Sequence, residues 1–288
     1  MIADPAAINL ERGWALLLEL RQAARTLTPP PACFDLRLNG PAPLLEVTNE
    51  GSWAARVPIA EAVAELLDLY LPMALAGRPR PLTVAHLGQS LDGRIATFNG
   101  ASCPINGPEN LTHLHRMRAL CDAIIVGANT VECDNPQLTT RRVVGPHPVR
   151  VVLDPRRRLA ASHGLFHDSA APTWLVCAAE LADEPGPGRA QVIGVPGDGQ
   201  RLRLADVLQQ LHNRGLSGIF IEGGGLTVSA FLEAGLLDRL QVTVAPLIIG
   251  SGRPGVTLPA IDDLSEVLRP PCRCYAMGQD VLFDCRLR

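Results

Sequence analysis

Lysine is absent from the 288 residues, and all 26 basic side chains are arginine. Schiff-base chemistry needs an amine nucleophile, so that enzyme class is excluded. Any anion must be held by arginine, histidine or backbone N–H groups. Neither sign of charge dominates: the net charge is −3, and no clustered basic face supplies the electrostatic footprint of a nucleic-acid binder. No run reaches the roughly 18 apolar residues of a membrane span, and no basic segment leads into an apolar core at the start, so a cytoplasmic protein without a membrane partner is expected. The eight cysteines, at 33, 103, 121, 133, 177, 272, 274 and 285, form no Cys-x-x-Cys pair, and free, mostly buried thiols are expected. A metal is not expected. His113 and His115 lie two apart on a helical pattern and face different ways, His163 and His167 flank a glycine in a loop, and Cys272 and Cys274 alternate on one face of a strand pattern.

What is present reads as an ordinary globular chain, 47% apolar and 19% charged. From Asn9 to about Thr26 the apolar spacing predicts a helix, which the prolines at 29–31 end. Residues 34–38 and 44–48 are extended and able to pair, and 58–71 reads as a second helix. The segment Gly77-Arg78-Pro79-Arg80-Pro81 then marks a boundary. Residues 1–80 are thus expected to be a small α+β accessory segment that caps the main body or extends a dimer surface, and 81–288 the main domain. Short β-branched runs at 82–87, 123–127, 149–153, 174–177 and 218–221 have the marks of strands buried on both faces. Helical patterns at 108–120, 204–214 and 225–235 separate several of them, so the fold class is α/β with a mainly parallel, twisted sheet. From residue 240 onward there are strands without helices. This predicts antiparallel additions at the sheet edge and a hairpin turning at Met277-Gly278-Gln279-Asp280.

Three strand ends carry groups suited to chemistry. Ile219-Phe220-Ile221-Glu222 runs into Gly223, Gly224 and Gly225, with Leu226 and Thr227 opening a helix. Glycines let the main chain approach a phosphate, and first-turn N–H groups lack partners, so the turn is built like an anion cradle. Glu222 sits at the strand's carboxyl end, where open α/β sheets bind ligands. The second feature, Gly88-Gln89-Ser90-Leu91-Asp92-Gly93-Arg94, reads as a hairpin turn preceded by His86, a residue equally suited to a hydrogen-bonded core position. In the third, a strand ending at Gly127 precedes Thr130, Asp134 and Arg141, a hydroxyl, a carboxylate and a phosphate-capable fork. Arg118 ends the helix before that strand, where it favours the helix dipole.

Taken together, Ser90-Leu91-Asp92-Gly93-Arg94-Ile95-Ala96, Asp122-Ala123-Ile124-Ile125-Val126-Gly127, Asp134-Asn135-Pro136-Gln137-Leu138-Thr139, Pro148-Val149-Arg150-Val151-Val152-Leu153-Asp154 and Glu222-Gly223-Gly224 resemble, in order, the reductase half of the bifunctional riboflavin-biosynthesis deaminase/reductase. The resemblance covers about residues 82–255. It implies a dihydrofolate reductase-like fold, a homodimer, and NADPH-dependent reduction of a ribosylamino-pyrimidine 5′-phosphate to the ribitylamino form. It also implies cofactor contacts from Gly88, Thr130, Asp134 and residues 224–230, and a substrate shell of Ser102, Arg118, Leu138, Arg141 and Glu222, with the two arginines suited to its phosphate. Asp134 or His86 is the expected proton relay, a choice the sequence leaves open.

Three positions depart from the family pattern. His86 stands where lysine is common, Pro104 where tryptophan is frequent, and Asp134-Asn135 where two aspartates are usual. They leave open a relative acting on another small carbonyl or imine, or a non-catalytic nucleotide-binding paralogue. The His-x-Glu and Pro-Cys-x-x-Cys signatures of the zinc deaminase half do not occur.

Overall fold

The computed structural model describes residues 7–38, 40–101 and 105–288. The chain divides into two compact units, Met1–Leu82 and Thr83–Arg288.

In the first unit, helix α1 (Leu10–Thr26) starts at Asn9, whose side chain accepts the Arg12 N–H at 2.9 Å. Its buried face, including Trp14, Leu17 and Leu20, packs on α2 (Glu61–Ala74), with the Trp14 and Tyr70 rings edge to face at 6.1 Å. The helix expected from residue 58 begins at Glu61 instead. Residues before it stay extended because Ile59 bridges Ile8 and the Pro58 carbonyl accepts the Ile8 N–H. The two expected strands, β1 (Cys33–Leu36) and β2 (Leu45–Thr48), pair antiparallel, and a third, β3 (Trp53–Ala55), adds to β2.

The second unit is built on β4 (Leu82–Ser90), β5 (Arg94–Ala96), α3 (Pro108–Leu120), β6 (Ala123–Gly127), α4 (Ala128–Asp134), β7 (Val149–Leu153), β8 (Thr173–Ala178), β9 (Gln191–Val195), α5 (Leu204–Asn213), β10 (Gly218–Glu222), α6 (Gly225–Glu233), β11 (Arg239–Ala245), β12 (Arg253–Pro254), β13 (Cys272–Met277) and β14 (Asp280–Arg286). Nine strands form one sheet in the order β13-β14-β11-β4-β10-β6-β7-β8-β9. The run from β10 through β6, β7 and β8 to β9 is parallel, and its central residues Ile124, Ile125, Val151 and Ile221 are fully buried, as strands covered on both faces require. Helices α5 and α6 press Val207, Leu211, Val228 and Phe231 into the same core. Asp122 pins the starts of β6 and β10 together, its carboxylate accepting the Ser217 and Gly218 N–H groups at 2.9 and 2.8 Å.

The expected mainly parallel sheet with an antiparallel edge is therefore present, with two corrections. β11 lies parallel to β4, because α6 returns the chain to the far end of the sheet first, and antiparallel pairing begins only with β14. The Asp92-Gly93 turn forms, with the Gly93 N–H on the Ser90 carbonyl at 3.0 Å, but no hairpin follows: β5 pairs with β12. Asp92 directs this course. Its carboxylate accepts from Ser90 Oγ, Ile249 N and Gly250 N, tying the turn to the loop ahead of β12, and the Ser90 hydroxyl contributes most to lowering its pKa to about 2. Among the described residues no helix is long and apolar enough to cross a membrane.

Candidate active site

Parallel strands β6, β7 and β10 end together with β4 along one rim of the sheet, where Gly88, Gly127, Leu153 and Glu222 line a cleft of about 1780 Å³. Two glycine turns shape its floor. Gly223 and Gly224 adopt φ of +88° and +71°, a left-handed backbone that L side chains rarely take. The space where a Cβ of Gly223 would stand is open. Gly224 is the N-cap of α6 and offers no side chain to its first turn; its carbonyl takes the Thr227 N–H at 2.8 Å, and the Gly225 and Leu226 N–H groups ahead of it have no side-chain cap. The turns also interlock across the strands. Thr130 Oγ1 stands 3.0 Å from the Cβ position of Gly224, and Thr227 Oγ1 stands 2.6 Å from that of Gly127. Gly225 has a different task, since a Cβ there would meet the Gly255 and Pro254 carbonyl oxygens at 2.6 and 2.9 Å. Leu226, at the start of α6, is 70% exposed on the cleft wall.

Behind this floor lies a cluster of charge. Arg118 donates from Nε to Glu222 Oε2 at 2.7 Å, adds a second guanidinium contact to Oε1, and gives Nη1 to the Thr139 carbonyl at 3.0 Å. Burial opposes the charge on Arg118, and Glu222 more than restores it, so its pKa lies above the ordinary value. Arg141 donates to Thr139 Oγ1 at 2.7 Å, and its pKa is lowered, first by burial and then by Arg118. His115 is lowered to about 4, by burial and then by Arg118 and Arg141. It is neutral at pH 7, and its bare Nδ1 accepts the Arg141 N–H at 2.8 Å. Leu138 holds the adjoining wall with φ +55° while 2% exposed, a strained backbone kept by its packing.

At the inner end, His86 is buried with Nε2 3.1 Å from Asn110 Oδ1 and 3.0 Å from Thr243 Oγ1. Thr243 gives its own hydroxyl hydrogen to Asn110 Oδ1 at 2.8 Å, so only His86 can donate, and the proton sits on Nε2. Burial, then the His113 ring 5.3 Å away, pushes His86 well below the usual imidazole range. His113 is itself lowered to about 3 by burial while its Nε2 meets Gln241 Oε1 at 3.0 Å. Gly88 completes this end: a Cβ there would fall 1.8 Å from Asn106 Oδ1.

The cleft wall thus brings together His86, Gly88, Thr130, Asp134, Leu138, Glu222, Gly223, Gly224, Gly225, Leu226 and Thr227. Arg118 and Arg141 do not line it and stand behind Glu222 and Thr139. Ser102 and Pro104 lie outside the described residues. The sequence reading missed the exposed arginines of the cleft lining, among them Arg156, Arg158, Arg201 and Arg203. The available signal was position, because Arg156 and Arg158 follow directly on the carboxyl end of β7. Arg157 between them takes a left-handed turn, φ +52°, and caps the Leu181 and Glu184 carbonyls at 3.0 and 2.8 Å.

Residues 81–283 match the RibD C-terminal domain family. The chain is 34% identical over 212 residues to the 2,5-diamino-6-ribosylamino-4(3H)-pyrimidinone 5′-phosphate reductase of Methanothermobacter thermautotrophicus, covering 71% of this chain and 97% of that one. It is also 34% identical to the riboflavin biosynthesis protein RibD of Aquifex aeolicus, over 60% of this chain and 48% of that protein, so it spans about half the length of this relative. Among solved structures, Acinetobacter baumannii RibD superposes with a TM-score of 0.63 at 26% identity, covering 80% of this chain and 64% of that chain. The ordered motifs, the strand-end cleft and these likenesses agree, and the chain belongs to the RibD C-terminal domain family of reductases.

Proposed function

We propose that this chain is an NADPH-dependent reductase that converts a ribosylamino-pyrimidine 5′-phosphate to its ribitylamino form, working as a cytoplasmic homodimer. The observation that carries the reading is the glycine-floored cleft, with the uncapped Gly225 and Leu226 N–H groups of α6 at one side and exposed arginines, among them Arg156, Arg158, Arg201 and Arg203, on its wall. A dinucleotide phosphate needs both features: backbone amides for its pyrophosphate and guanidinium forks for its further phosphate. The residues present therefore fit NADPH, which when bound supplies a hydride to the opened sugar.

The chain's own residues divide the remaining work. Gly223, Gly224 and the first turn of α6 hold the pyrophosphate, and Gly88, Thr130, Asp134 and Thr227 shape the cofactor's bed. Glu222 and Leu138 face the substrate. Arg118 has its fork filled by Glu222, so it positions that carboxylate, and Arg141, off the cleft wall with its guanidinium on Thr139 Oγ1, steadies the same segment. Asp134, on the exposed wall, carries the proton from solvent. His86, fixed as a neutral ring with hydrogen on Nε2, offers an acceptor at Nδ1 where a lysine would offer a cation.

Titrating the purified chain with NADPH and following cofactor oxidation with the ribosylamino-pyrimidine phosphate tests the reading. Saturable binding and rapid turnover are expected. Binding with turnover only of another imine or carbonyl would favour the relative that His86 in place of lysine leaves open, and no binding at millimolar NADPH would remove the reductase reading itself.

A further inference from the structure

The antiparallel edge holds a pair of thiols that the reductase chemistry does not use. Cys272 opens β13 and Cys285 lies near the end of β14, directly opposite in register. Their sulfurs are 3.4 Å apart. The neighbouring pair, Pro271 and Arg286, is bridged by the Arg286 N–H on the Pro271 carbonyl, so Cys272 and Cys285 occupy the alternate, non-hydrogen-bonded position, where facing side chains come closest. A disulfide has a sulfur separation of about 2.05 Å and tolerates such a Cα spacing, so rotation about χ1 closes the gap without moving the strands. β13 is the last strand of the sheet, with a partner on one side only, and Cys272 is exposed. Other described cysteines differ: Cys121 and Cys177 are buried, and Cys33 sits against Glu46.

We propose that Cys272 and Cys285 form a reversible intrachain disulfide, a redox modification site that clamps the β13-β14 hairpin. The oxidant is a low-molecular-weight disulfide. One cysteine thiolate attacks a sulfur of that molecule and expels its first thiolate, which takes up the proton. The second cysteine thiolate then attacks the mixed disulfide and expels the other half. The two protein thiols lose two electrons and two protons, and the small disulfide is reduced to two thiols. Burial and the contact with Cys285 push the Cys272 thiol up to about 11, so exchange quickens as pH rises. The clamp bears on the rest of the fold through Asp280, the first residue of β14, whose carboxylate accepts the Gly107 N–H at 2.8 Å and thereby caps α3. Cys274 lies two residues along the same face and is the internal competitor.

The test uses the full reduced chain, incubated with oxidised glutathione, quenched by alkylation and read by intact mass and peptide mapping. Expected is the loss of two hydrogens per chain, a Cys272–Cys285 linked peptide, reversal by dithiothreitol, and an unfolding midpoint several degrees higher in the oxidised form. Cys274→Ser should retain the link and Cys285→Ser should reduce it to background. A persistent glutathione adduct, a link through Cys274, or a link between two chains would overturn the proposal, and none of these results bears on whether the cleft binds NADPH.

Discussion

Arg118 and Glu222, 104 residues apart in the chain, are joined by a two-pronged ion pair at the point where α3 passes behind the end of β10. Both side chains are largely buried, so each charge depends on the other. Arg118→Ala strands a carboxylate there and is expected to lower stability by about 3–5 kcal/mol, measured by urea unfolding. Arg118→Met combined with Glu222→Met should cost clearly less than the two single changes summed. Additive losses would mean the residues do not act as a pair.

Gly223 and Gly225 are adjacent to the same helix start yet should fail differently. Gly225→Ala drives a methyl group into two backbone carbonyls and is expected to lose about 1–3 kcal/mol of stability. Gly223→Ala meets open space, costs about 1–2 kcal/mol for its left-handed backbone, and should weaken NADPH about tenfold by crowding the pyrophosphate. Thermal melts and fluorescence titration separate the two.

Arg158→Ala and Arg201→Ala remove guanidinium groups from the exposed wall of the cleft. The Kd for NADPH should rise about tenfold in each, with that for NADH little changed. Equal losses for both cofactors would move the further phosphate elsewhere.

His113 makes stability depend on pH. The unfolded ring takes up a proton as pH falls through 6.5, whereas the native ring, held down first by burial, resists to about 3. The unfolded state thus binds more protons across that window, and stability declines as pH drops. The contribution is complete above 6.5 and is reduced by about 2 kcal/mol near pH 5. Denaturant titrations at the two pH values check this, and His113→Gln should flatten the slope.

Much of this architecture could be read from residue patterns, and the parts that could not have identifiable causes. β6, β7 and β10 are apolar, β-branched-rich runs closed by glycine or an acidic residue, and β8 is a short apolar run of the same kind, so the pattern found all four. β9 escaped because it is an edge strand, half-exposed and preceded by a segment rich in proline and glycine. The strand after Asp92-Gly93 was visible but its partner was not, since the choice of β12 depends on hydrogen bonds from residues 249 and 250 to Asp92. In the cleft, the glycine turn announced itself through local conformation. The tautomer of His86 and the occupation of Arg118 are set by side chains more than 100 positions away, Thr243 and Glu222, and no local spacing encodes them.

The paired imidazoles at the inner end of the cleft have one more effect. Because neither ring gains a proton until far into acid, His86 turns the same uncharged face to the cleft throughout the range in which cells live, and His113 behind it adds no charge of its own.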